Sequence, residues 1–319
     1  MDTRRVIDRL WSAAMPMQRL AWEQGVCAQA AIDAGRLDDA LAIARDAVLH
    51  ADADGRLAAT GDAGLVNGGA VGEAVALLAR RGDADAADAL ERQRWWFLRW
   101  SPRDDEGVVW HLTGLPEVWV DSIYMVVPLL VLTGDVAPAD MQYRMHREHL
   151  WNPETGLFSH RANTVTKTRT RPQPWASGNG WAAAGLARAL HIGGEALPTE
   201  MRGRWQHDTR ALVDSVSAYA NADGRFPDIL DQPDRFTDGT AGLMFAYAAF
   251  TGIADGWLDA SCSERAQHWL EAALATVDDS GLIRGVAGAP HFDREGTSAE
   301  AQAFGMLGLS ARERAMRGA

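Results

Sequence analysis

Residues 116–132 read PEVWVDSIYMVVPLLVL, from Pro116 to Leu132. The run is apolar nearly throughout, yet it carries one acid, Asp121, three places before the pair Tyr124-Met125. A carboxylate at the start of such a helix is costly to bury unless it caps, is paired or is used chemically. Two readings of Asp121 therefore stand side by side, the N-cap of a core helix or a reactive acid. Tyr124 and Met125 lie on the same helix and either shape a pocket wall or pack against the next helix.

Working outward, short turns with a polar residue before glycine recur at Asp54-Gly55, Glu106-Gly107, Thr155-Gly156, Asp223-Gly224 and Ser280-Gly281. By subtraction the glycines are 52, 49, 68 and 57 residues apart. Those intervals suit a helical hairpin with its loops better than a short solenoid repeat. Amphipathic patterns cover Thr3 to Met15, Leu37 to His50, Ala84 to Trp100, Ala139 to Leu150, Arg202 to Ala220 and Ser263 to Val277. They alternate with apolar, small-residue segments at Leu20 to Ala34, Val66 to Arg80, Val120 to Leu132, Gly180 to His191, Thr240 to Thr251 and Ala299 to Leu309. Six of each predict two concentric helical layers, the apolar set inside. The expectation is an all-α chain forming an (α/α)6 barrel, with little sheet beyond short pairs near the turns. No Pro- or Ser-rich linker interrupts the pattern, so one domain over residues 1–319 is expected. The helix starts would then gather Trp22, Asn67, Asp121, Asn179 and the Thr240 region at one end.

Composition narrows the partners. The 319 residues are 47% hydrophobic and 23% charged, the balance of a globular protein, and carry a formal charge of −12. Such a charge argues against a nucleic-acid partner and offers no attraction to an anionic membrane. The N-terminal stretch has scattered charges and no secretory signal pattern, and no run reaches the ~18 apolar residues of a membrane span. A cytoplasmic protein is expected, with Cys27 and Cys262 as free thiols. No metal-ligand spacing such as HExxH, no paired Cys/His pattern and no phosphate loop is seen, so no metal and no cofactor are expected. A Gly-x-Ser-x-Gly nucleophile elbow is also absent. The oligomeric state is left open.

The 13 tryptophans outnumber the 4 tyrosines and 8 phenylalanines together. Two of them flank a second polar-aromatic island, WASGNGW, from Trp175 to Trp181. Aromatic faces beside amide and carboxyl groups suit a polyhydroxylated ring, which offers C–H faces to stack and hydroxyls to hydrogen-bond. A small oligosaccharide is thus the expected partner, with Trp22, Trp175 and Trp181 stacking or packing, Asn179 bonding hydroxyls or capping a helix, and His111 in a loop ten residues before Asp121. The longest irregular piece, Ser159 to Ser177, carries Arg161, Lys167, Arg169 and Arg171. It is either a solvated loop or a source of positive charge for an anionic substrate. Glu23, Asp228, Asp231 and Asp238 remain as spare acids.

With these motifs the chain resembles the unsaturated glycuronyl hydrolases, the six-hairpin glycosidases of glycoside hydrolase families 88 and 105. The resemblance rests on WVDSIYMVVPLL from Trp119, NPETGLFSH ending at His160, WASGNGW from Trp175, the run from Asp238 to Asp259, and GTSAEAQAF from Gly296. It implies that Asp121 is general acid and base, and that His160 contacts substrate. The implied reaction is hydration of a Δ4,5-unsaturated uronic acid. The acid protonates C4, water adds at C5, and the hemiketal opens to release the neighbouring sugar; one carboxylate serves both steps. Three positions depart from the family pattern. A second family aspartate falls on Asn67, five residues before Gly72, a family arginine falls on Ser177, and the segment Phe236 to Gly242 reads FTDGTAG. Asn67 can bond a hydroxyl or orient water, but it brings no like charge to Asp121. Two rival readings remain, a hydrolase of saturated sugars with a second acid such as Asp238, and a sugar-binding protein without catalysis.

Overall fold

The computed structural model describes residues 2–59, 61 and 63–318. At each of the five turns read from the sequence, the glycine has positive φ: 93° at Gly55, 94° at Gly107, 66° at Gly156, 85° at Gly224 and 86° at Gly281. A side chain would be strained there, which is why the repeat is written with glycine. Between the turns run twelve α-helices among the described residues: α1 (Thr3–Ala14), α2 (Ala21–Asp33), α3 (Leu37–Leu49), α4 (Gly72–Arg80), α5 (Ala84–Trp95), α6 (Ser122–Leu132), α7 (Val136–Leu150), α8 (Ala176–Gly193), α9 (Thr199–Val216), α10 (Gly239–Ala254), α11 (Ser263–Leu274) and α12 (Ala299–Gly318). Nine short strands accompany them: β1 (Glu117–Trp119), β2 (Trp151–Asn152), β3 (Leu157–Phe158), β4 (Arg161–Asn163), β5 (Thr168–Arg171), β6 (Phe226–Pro227), β7 (Thr237–Asp238), β8 (Val286–Ala287) and β9 (Glu295–Gly296).

Burial alternates as the patterns require. All residues of α6 from Ser122 to Val131 are buried, as are Ala176 to Leu190 of α8 and Gly239 to Gly252 of α10. By contrast α9 buries Met201, Trp205, Thr209, Leu212, Val213 and Val216, a stripe at three- and four-residue spacing. The helices group into two compact units. One holds α2 to α7, the other α1 and α8 to α12. Within the first, α4 packs on α2, α3, α5 and α6; within the second, α10 packs on α8, α11 and α12. Among the described residues, no helix is long and apolar enough to cross a membrane.

Three segments differ from expectation. The helix expected from Val66 starts only at Gly72, after a 3-10 turn at Asn67–Gly69. The segment Ala84 to Trp100 leaves the α-helix at Trp95 and closes with a π turn, Trp96–Trp100. The stretch Ser159 to Ser177 is no irregular loop: β4 and β5 form an antiparallel hairpin, β1 pairs with β4, and α8 begins at Ala176. The β5 residues are all exposed, so apolar alternation was never available to mark them.

Candidate active site

Asp121 stands at the N-cap position of α6, but it does not cap it. Its backbone is αR, φ −68° and ψ −19°, rather than extended, and its side chain accepts no hydrogen bond from the helix. Oδ1 is buried without a hydrogen-bond partner, and Oδ2 lies 3.8 Å from Nε2 of His111. This carboxylate is largely shielded from water, 14% exposed, yet spends neither oxygen on the fold. The helix is held in place without it: a Cβ on Gly69 would strike the Met125 carbonyl and the Phe97 ring, so the Asn67–Gly69 turn lies directly against α6.

The short sheet builds the rest of this cluster. Its register aligns Trp119 of β1 with Arg161 of β4, and Arg161 with Arg171 of β5. His111 stacks on the Trp119 indole at 4.1 Å between centroids and 6° between planes, while the Arg161 guanidinium lies 3.4 Å from the same indole centroid. Both cannot occupy one face at those distances, so the indole is sandwiched. Its faces are closed to sugar stacking, and it acts as a post that orients His111 and Arg161. Nδ1 of His111 is 2.8 Å from the Ser122 hydroxyl, which fixes the ring beside Asp121. His160 packs edge-on to Trp119, and Nε of Arg161 donates to its Nε2 at 3.3 Å. Burial, with Arg161, Arg171 and His111 adding, pushes the His160 imidazole down to about 2, so it is neutral. Burial and Arg171 also hold the Arg161 guanidinium below its ordinary value, while Asp121 and Glu117 pull it up.

The other predicted residues of this unit fall as follows. Trp22 is half-buried on the first turn of α2. Asn67 is buried, its amide packed over Gly64. Tyr124 takes the packing alternative: it is 1% exposed and donates its hydroxyl proton to Gln29 Oε1 at 2.6 Å. Of the basic residues considered for an anion, Lys167 pairs with Glu106 at 2.6 Å and Arg169 donates to the Trp151 carbonyl at 2.7 Å. Glu23, one of the spare acids, accepts from the Leu20 and Arg19 backbone N–H groups and caps α2.

The WASGNGW island lies in the other unit and is built mainly for packing. Asn179 is fully buried; it accepts from the Phe158 N–H and donates to the Phe158 and Trp175 carbonyls. Trp181 is buried edge-on to Phe304. Trp175, half-buried at the N-cap of α8, places its indole N–H by Asp228. Burial raises the Asp228 carboxyl to about 6, against the nearby Arg235, whose guanidinium is 3.1 Å away. Ser177 donates to Asp238, and Asp238, fully buried, also accepts from Thr240 N and Ala287 N at 2.9 and 3.0 Å. Asp238 is thus the cap of α10 and a tie to β8, with no reach to solvent. Sequence reasoning passed over Trp119 as a site residue because three strand residues carry too short a pattern.

The sequence profile of Glycosyl Hydrolase Family 88 matches residues 6–307, and the chain belongs to that family. It is 24% identical over 238 residues to the unsaturated rhamnogalacturonyl hydrolase YesR of Bacillus subtilis (strain 168); the match covers 70% of this chain and 66%, just under two thirds, of the relative's length. Its structure superposes on a possible GH105 family member from Klebsiella pneumoniae with a TM-score of 0.81 at 18% identity, covering 97% of this chain and 92% of that one. A family 88 glycosyl hydrolase from Bacteroides vulgatus gives 0.76 at 19% identity, covering 98% of each. With the twelve alternating helices, the likeness sets the fold class as all-α, (α/α)6.

Proposed function

We propose that the chain is a glycoside hydrolase acting on small oligosaccharides that end in a Δ4,5-unsaturated uronic acid, with Asp121 as acid and base. The observation that carries this reading is the Asp121 carboxylate, shielded from water and bonded to nothing in the fold. It gives its proton to C4 of the vinyl ether, and the cation is stabilised by the ring oxygen. Water then adds at C5 as the carboxylate recovers a proton, and the hemiketal opens with loss of the leaving sugar. Arg161, aimed by Trp119, and the exposed Arg171 beside it stand in for the arginine that Ser177 lacks and receive the uronate carboxylate. His111 and the neutral His160 bond hydroxyls, and Asn67 orients water. Free thiols at Cys27 and Cys262 suit a reducing, cytoplasmic setting.

The saturated-sugar reading needs a second reactive acid, and its best candidate, Asp238, is consumed by three donors inside the core. The test is the ultraviolet absorbance of the unsaturated uronyl group in a panel of lyase-generated disaccharides, followed with wild type and Asp121→Asn. Loss of the band with wild type alone is the expected result. An unchanged band with every disaccharide, or equal loss with the variant, removes Asp121 from this role.

A further inference from the structure

Three of the five turns of the repeat open with an aspartate, and one of those three is built differently from the other two. Asp52, Asp104 and Asp278 each open a turn by accepting backbone N–H groups on Oδ1, from Arg56, from Glu106 and Val108, and from Ser280 and Leu282. At Asp52 and Asp278 the second oxygen is taken by an arginine of the same loop, Arg56 and Arg284, each at 2.7 Å. Among the described residues no arginine pairs with Asp104. Its Oδ2 is buried without a hydrogen-bond partner and faces Nε2 of His149, at the end of α7, across 4.0 Å. His149 is more than nine-tenths buried, and that Nε2 is also without a partner. Glu106 adds a half-exposed carboxylate, so that one ligand atom from each of the three lies within 4.8 Å of the others.

Two buried polar atoms that face each other too far apart to bond are costly, and such pairs are rare in folded proteins. A cation bonded to each at about 2.0–2.2 Å spans such a gap. We propose that Asp104, Glu106 and His149 form a binding site for one divalent transition-metal ion of the Zn2+ type. One imidazole and two carboxylates suit that class, whereas Ca2+ and Mg2+ favour sites of oxygen alone. The geometry also supplies an orienting shell, because the backbone bonds on Asp104 Oδ1 aim Oδ2 at the ion. Lys167 now occupies Glu106 at 2.6 Å, and its ammonium competes with the ion for that carboxylate. Because His149 ends α7 and Asp104 and Glu106 form the turn before β1, the ion fastens two segments beside the small sheet, while Lys167 of the β4–β5 turn is displaced from Glu106. Its role is structural, and the proposal stands apart from the hydrolase reading.

The test is calorimetric titration of chelator-treated protein with ZnCl2, paired with thermal unfolding. Wild type is expected to take up one equivalent and to melt at a higher temperature when loaded. His149→Gln and Asp104→Asn are expected to lose that equivalent, and CaCl2 to give no saturable binding. Lys167→Asn, placed in an exposed turn where φ is 54° and asparagine is tolerated, should keep the fold and bind Zn2+ several-fold more tightly. No one-equivalent uptake by wild type, uptake unchanged in folded His149→Gln, or no tightening in Lys167→Asn would overturn the site.

Discussion

Two aspartates at helix starts show how differently one residue type can be spent. Asp238 is an N-cap in the full sense, accepting from Thr240 N and fastening Ser177 and Ala287 N besides. Asp121 holds the same position on α6 and bonds none of that helix's N–H groups. Asp238→Ala leaves the buried Thr240 and Ala287 N–H groups and the Ser177 hydroxyl without their acceptor, so it should cost about 2–4 kcal/mol in urea unfolding. The opposite is expected of Asp121→Asn, within about 0.5 kcal/mol of wild type in the same measurement while turnover is lost, since surplus stability is not tied to that carboxylate. Equal destabilisation by both would mean that Asp121 is structural after all. The sequence shows both acids before apolar helices and cannot tell them apart, because the difference lies in one ψ angle and in what the neighbouring loops deliver. For the same reason the sequence leaves Asn179, set between two indoles, as either a hydroxyl contact or a capping amide, since the bonds of its amide to Phe158 and Trp175 depend on how the chain packs.

At the scale of elements, the helices were legible because burial writes a 3.6-residue period or a solid apolar run, and both survive without knowledge of the partner. What stayed hidden was pieces whose form is set by contacts instead of pattern. The β4–β5 hairpin is exposed along β5, and the Asn67–Gly69 turn replaces the helix start because two backbones touch there. That second case gives a prediction. Gly69→Ala pushes a methyl into the Met125 carbonyl and the Phe97 ring, neither able to retreat, and should cost about 1–3 kcal/mol. Gly203 of α9 is the control, helical and exposed with no heavy atom within 4 Å of a Cβ added there. Gly203→Ala should gain about 0.5–1 kcal/mol from helix propensity alone. Denaturant midpoints of the two variants must move in opposite directions for the close approach to be real.

The charge of the whole molecule, −12, follows from composition, but the response of its stability to pH draws on buried groups whose environments composition does not reveal. His146 is fully buried, donates through Nδ1 to the Gln142 carbonyl at 2.8 Å, and is pushed down to about 4, chiefly by burial. His160 is pushed further, to about 2. In the unfolded chain both return to 6.5, so below that pH the unfolded state takes up protons that the folded state refuses. Their stability is complete above about 6.5 and is lost as pH falls, down to about 4 for His146, at roughly 1.4 kcal/mol per pH unit for each proton. Asp228 works in the opposite sense. Burial raises it to about 6 from 3.8, so between those values the folded state holds a proton that the unfolded one gives up, and stability falls as pH rises. Acidification from 6 toward 4 therefore sets the losses of two histidines against the one Asp228 gain, a net loss of about one proton's worth. Melting temperature followed from pH 7 to pH 4 should decline in wild type, decline less steeply in His146→Gln, and decline more steeply below pH 6 in Asp228→Asn. A shallower decline in Asp228→Asn would show that Arg235, and not burial, governs that carboxyl.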